Sequence, residues 1–112
     1  MAAGYTERLA GVGDLVTPKV ADQVEHVFHL YVLRTKQRDA LLAHLQEKEI
    51  GCIIHYPVPI HLQDAYADMP WQQGQYPITE ACAGEILSLP MFPGLTEGQL
   101  DEVAEAVRGF FA

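Results

Sequence analysis

The pair of prolines in "HYPVP", Pro57 and Pro59, constrains this chain more than any other feature. Neither can donate to a β-ladder, so the chain cannot run on there as an inner strand. Tyr56 and Val58 each precede a proline and are therefore held extended. The β-branched run before them, "CIIHY", predicts a strand that ends near His55 and leaves as a stiff, polyproline-like arm. A stiff arm has little conformational entropy to lose when it meets a ligand. Two readings follow. The prolines protect a sheet edge and the polar residues beside them are idle, or the arm presents His55, Tyr56 and His61 to something.

The rest of the chain builds outward from that break. Residues 26–34, "HVFHLYVLR", read as a central strand, with Phe28, Leu30 and Val32 on one face and Val27, His29, Tyr31 and Leu33 on the other. Thr35 is expected to cap a helix through "RDALLAHLQEKE", whose Leu41, Leu42 and Leu45 form one stripe, with Gly51 as the left-handed residue after it. Beyond the arm, Thr79 should open a short helix through "EACAGEIL", followed by a brief third strand, "LSLP", stopped by Pro90. In the last helix Thr96 and Gln99 match a capping box, Leu95 can staple onto Leu100, and Leu100, Val103, Ala104, Val107 and Phe111 share one face. Residues 4–12 read as a further short helix with no capping residue before it. The order predicts a two-layer α/β domain: a sheet of three strands or slightly more, with helices mainly on one face.

Charge and cysteine usage narrow the function. At 112 residues the chain is one domain. Seven Lys plus Arg stand against fifteen Asp plus Glu, a net −8 with the basic residues scattered, so neither nucleic acid nor an anionic membrane surface is an expected partner. No apolar run approaches the ~20 residues of a membrane span, and "MAAGYTERLAG" has no signal-peptide apolar stretch. Cys52 and Cys82 read as free thiols, and the cytoplasm is the expected compartment.

Catalytic constellations are sparse. "HVFH" puts its two histidines on opposite faces of a strand. Six extended steps of roughly 3.1 Å would separate His55 and His61 by about 19 Å, too far to share one ion, so no metal site is expected. There is no glycine-rich phosphate loop, nucleophile elbow or helical H-E-x-x-H. Ser88, the only serine, reads as buried and structural, Cys52 as a buried inert thiol, and His44 as a structural histidine in a helix. Glu80 and Glu85 read as helix-dipole partners. The residues alone describe a presentation surface without a complete active site.

Taken in order, "HVFHLYVLR", "RDALLAHLQEKEIG", "HYPVPIHLQDAY" and "TEACAGEILSLPMFPGLTEGQLDEV" resemble the C-terminal region of the DegT/StrS family over nearly the whole chain. The resemblance implies the small C-terminal domain of a fold-type-I, pyridoxal-phosphate-dependent aminotransferase acting on nucleotide-linked keto sugars. It makes 1–14, with "YTERLAG", a remnant of the helix joining large and small domains, and 24–112 the small α/β unit. It also implies that His55 and Tyr56 line the sugar-nucleotide pocket, with His61 next and His29 behind. In a regular strand His55 and Tyr56 would face opposite sides, and His55 is the expected contact.

The family's cofactor lysine has no counterpart among Lys19, Lys36 and Lys48. The expectation is therefore a chain with no catalytic residue and no cofactor of its own, inactive alone, and a truncated product, an excised piece or one part of a split enzyme. Its partner would be a large aminotransferase domain. The alternative is a self-associating or partner-binding module, a homodimer formed through an exposed first helix bearing Tyr5, Leu9 and Val12.

Overall fold

The last helix, α4 (Glu97–Phe111), forms as its sequence predicts. The Thr96 hydroxyl accepts from the Gln99 N–H at 3.2 Å while Gln99 Oε1 accepts from the Thr96 N–H at 3.0 Å, completing the capping box. Leu95, Leu100, Val103, Ala104 and Val107 are buried together. In the computed structural model, which describes residues 1–112, the other elements are α1 (Ala2–Leu9), β1 (Tyr31–Arg34), α2 (Arg38–Glu47), α3 (Pro77–Glu85) and β2 (Ile86–Leu89). Two 3₁₀ turns, Ile60–Leu62 and Asp64–Tyr66, lie between α2 and α3.

The molecule is mixed α/β, but its regular sheet has two strands rather than three. β1 and β2 are antiparallel, with Val32 opposite Ser88 and Leu33 opposite Leu87. Single bridges extend each edge, Val16 to Arg34 on one side and Ile53 to Ser88 on the other. The expected strand at "CIIHY" is thus reduced to Ile53. The expected strand over 26–34 is shortened to 31–34. Phe28 lies in the left-handed region (φ 48°) and its N–H is taken by His26 Nδ1 at 2.8 Å, so a local side chain replaces a ladder partner.

Helix ends also differ from expectation. α2 starts at Arg38 with Gln37 as its N-cap, and the Thr35 hydroxyl instead accepts the Gln37 N–H at 3.1 Å. At its other end the left-handed residue is Glu49 (φ 60°), not Gly51. The N–H groups of Glu49 and Ile50 return to the carbonyls of Gln46 and Leu45, a Schellman closure. α3 begins at Pro77, whose missing N–H is harmless in the first turn, so Thr79 lies inside the helix.

The main correction concerns α1. Tyr5 and Leu9 are fully buried, not exposed. Tyr5 packs on Tyr31 with ring centroids 5.0 Å apart and donates its hydroxyl to the Pro90 carbonyl at 2.9 Å, and its burial pushes the phenol up to about 12. Arg8 binds Glu97 and Asp101 of α4 at 2.9 and 2.6 Å. Beyond α1, Gly13 turns with φ +51°, and a Cβ there would collide with the Phe111 ring. α1, α2, α4 and the strands therefore share one core, and 1–14 is joined to the rest of the domain. No helix is long and apolar enough to cross a membrane.

Candidate functional site

The arm leaves the sheet at Ile53, whose N–H and C=O pair with Ser88 at 3.3 and 2.9 Å. Two residues on, His55 Nδ1 lies 2.9 Å from Ser88 Oγ. Because side chains alternate along a strand, Ser88 stands on the face of β2 away from Leu87 and Leu89, and the imidazole covers it. Tyr56 is exposed, and its ring meets that of His55 edge-on at 5.5 Å. The two therefore sit together instead of facing opposite sides, since regular strand geometry has already ended. Both line a cleft of about 230 Å³ with Gln63, Thr79 and Cys82 among its walls.

Pro59 has extended angles (φ −56°, ψ 144°), but the backbone bends at His55, Pro57 and Val58 and turns again at Ile60, so the expected extended arm is folded well before His61. His61 donates from Nε2 to Glu80 Oε1 at 2.8 Å, and these side chains are only 8% and 17% exposed. Glu80 also accepts the Gly74 N–H at 2.9 Å and the Tyr76 N–H at 3.4 Å. The hydrogen bond from His61 above all, with those from Gly74 and Tyr76, holds the Glu80 carboxyl below its ordinary range. His61 packs against Tyr76 at 4.8 Å and, with Ile60, Trp71 and Thr79, borders a pocket of about 270 Å³ that shares Ile60 and Thr79 with the His55 cleft.

His55, Tyr56 and His61 are thus brought into adjoining hollows. His29 is not. It is exposed and lines a separate apolar groove of about 600 Å³ with Phe28, Met91 and Phe92. Ser88 and Glu80 carry no sequence signal of their part in the site, because their partners lie 33 and 19 residues away. Cys52 is buried and its thiol is pushed up to about 11, while His44 is half-buried with Nε2 3.1 Å from the Ala106 carbonyl oxygen.

The model of the DegT/DnrJ/EryC1/StrS aminotransferase family matches residues 1–108. The chain belongs to this family. It is 47% identical over 112 residues to a pleiotropic regulatory protein of Geobacillus stearothermophilus, covering 98% of this chain and 30% of that protein. It is 41% identical to the dTDP-3-amino-3,4,6-trideoxy-alpha-D-glucose transaminase of Streptomyces venezuelae, covering 96% of this chain and 28% of the transaminase. Among solved structures, S. venezuelae DesV in complex with a ketimine intermediate superposes with a TM-score of 0.94 at 40% identity, covering 97% of this chain and 29% of DesV. The chain spans about 30% of the length of the curated relatives it matches.

An aminotransferase of this kind implies pyridoxal phosphate, which needs an amine for imine formation and donors for its phosphate. Lys19, Lys36 and Lys48 are all on the exposed surface. Lys48 borders a hollow whose other walls include Asp101, Glu102 and Glu105, a poor setting for an anionic phosphate. The residues present do not fit the cofactor, and no step is assigned to it on this chain.

Proposed function

We propose that this chain is the C-terminal small domain of a nucleotide-sugar aminotransferase, contributing one wall of the substrate pocket and part of the dimer contact. The single observation that carries this reading is the match to DesV along 97% of the chain at a TM-score of 0.94. In it, the imine-forming lysine comes from a large domain outside these residues, and the chain alone transfers no amino group. His55 and Tyr56 offer a ring N–H and a phenol to the hydroxyl and phosphate oxygens of the substrate, and both groups can donate and accept. His61 supports them as the anchor of the arm through Glu80, whereas His29, in its separate groove, stands apart from this wall. The two free cysteines suit a reducing cytoplasm.

Exposed Val27, Ile60 and Ile78 call for a covering partner, which in this reading is the large domain. The alternative, a self-associating module, keeps these residues as its support but loses its argument from α1, since Tyr5 and Leu9 are already covered.

The test is a chimera in which this chain replaces the matching part of the S. venezuelae transaminase. It should turn over the keto sugar, and His55→Ala should raise KM about tenfold or more, the effect of losing a hydrogen bond to a charged oxygen. An unchanged KM would refute the pocket reading. The isolated chain mixed with pyridoxal phosphate and borohydride should yield no lysine adduct by mass spectrometry, and an adduct with turnover would refute its inactivity.

A further inference from the structure

We propose that Ser88 is a positioning residue that holds His55 as its Nε2–H tautomer, aiming that N–H into the cleft as a donor to an acceptor oxygen of the nucleotide-linked sugar. The inference deepens, and rests on, the reading of the cleft as the sugar-nucleotide pocket.

Ser88 is 3% exposed, and its backbone N–H and C=O are both committed to Ile53. Its hydroxyl has one hydrogen-bond partner, His55 Nδ1. A buried hydroxyl has a hydrogen to place, and a neutral imidazole offers one lone pair and one N–H. If Nδ1 carried the ring proton and donated to Oγ, the hydroxyl hydrogen would be buried without an acceptor. If Ser88 donates to Nδ1, every polar atom is satisfied and the ring proton goes to Nε2. The Ile53 bridge fixes the backbone two residues before His55, which keeps the ring over the hydroxyl.

Nε2 of His55 makes no hydrogen bond within the protein, and the ring is half-buried at the cleft that also holds the side chains of Tyr56, Gln63 and Thr79. A fixed donor among these groups suits a ligand rich in acceptor oxygens. His61 makes the contrast. Its Nε2–H is already given to Glu80, so the same ring in the same arm secures the backbone instead. The serine is what leaves the first histidine with a free, oriented donor.

Long-range proton–nitrogen NMR on the labelled chain in mildly alkaline buffer tests the tautomer directly. His55 should show the Nε2–H pattern, Ser88→Ala a mixture of tautomers, and Ser88→Thr, which keeps the hydroxyl, the original pattern. An Nδ1–H pattern in the unaltered chain overturns the proposal whether or not Ser88→Ala folds, as does an unchanged pattern in a folded Ser88→Ala. In the chimera, Ser88→Ala should raise KM severalfold with kcat little changed, and Ser88→Thr should restore it. A shifted tautomer with unchanged KM overturns the substrate role and traces the failure to the pocket reading, not to the Ser88–His55 pairing.

Discussion

The packed unit of α1, α2, α4 and the two strands and the arm that crosses from Ile53 to α3 are held by different forces. In the first, Tyr5, Leu9, Tyr31, Leu33, Leu41, Leu45, Leu87, Leu100 and Val107 are almost wholly removed from water. In the second, no residue from Ile53 to Cys82 is buried, and Tyr56, Ile60, Tyr66, Trp71 and Tyr76 are exposed. The arm is held by proton-sharing pairs: His55 with Ser88, His61 with Glu80, and Gly74 with Glu80. Apolar burial gives the packed unit its stability in bulk, whereas directional polar contacts give the arm a defined shape at little depth. A surface that must meet a ligand is better made the second way, since its side chains remain available.

That contrast can be broken most forcefully at α1. Leu9→Ala should lower the free energy of unfolding by about 2–5 kcal/mol in urea titrations, while Trp71→Ala in the arm should cost less than about 1 kcal/mol. Equal losses would mean that the arm is part of the cooperative core. A smaller, local effect is expected of Glu80→Gln. The amides of Gly74 and Tyr76 should lose hydrogen-exchange protection while those of α4 keep theirs. Acid should do the same to the unaltered chain. The Glu80 carboxyl lies below its ordinary value of 4.5 in the folded state, so its stabilisation is fully present above that value and is lost as pH falls from there through the lower folded one. The smallest effect sharpens the picture of the packed unit: Glu49→Gly removes the side chain from a left-handed position and should raise stability by about 0.5–1 kcal/mol.

What could be read in advance divides along similar lines. α4 was legible because its capping box and apolar stripe are written in one continuous run from Thr96 to Phe111. The end of β2 at Pro90 was legible for the same local reason. The burial of Tyr5 was not, because its hydroxyl finds a carbonyl 85 residues away and only the closed fold makes them neighbours. The strand at "CIIHY" was overestimated, since β-branched composition says nothing about whether a partner edge continues past one residue. Gly51 was a reasonable terminator for α2, but the Schellman closure fell two residues earlier on a glutamate. In the site, proline stiffness marked out His55 and Tyr56, yet nothing local paired the histidine with Ser88 or made Glu80 the fastening of the loop. The family resemblance puts His29 behind the arm, but the irregular backbone before β1 carries it to a separate groove beside Met91 and Phe92.

One consequence of the β1–β2 alignment reaches beyond the sheet. Ser88 is flanked by two leucines that must enter the oily interior, so sliding the strand by a single step would swap hydrocarbon for hydroxyl on both sides at once. The greasy side therefore proofreads the polar one: as long as Leu87 and Leu89 are seated, the hydroxyl has only one direction in which to stand.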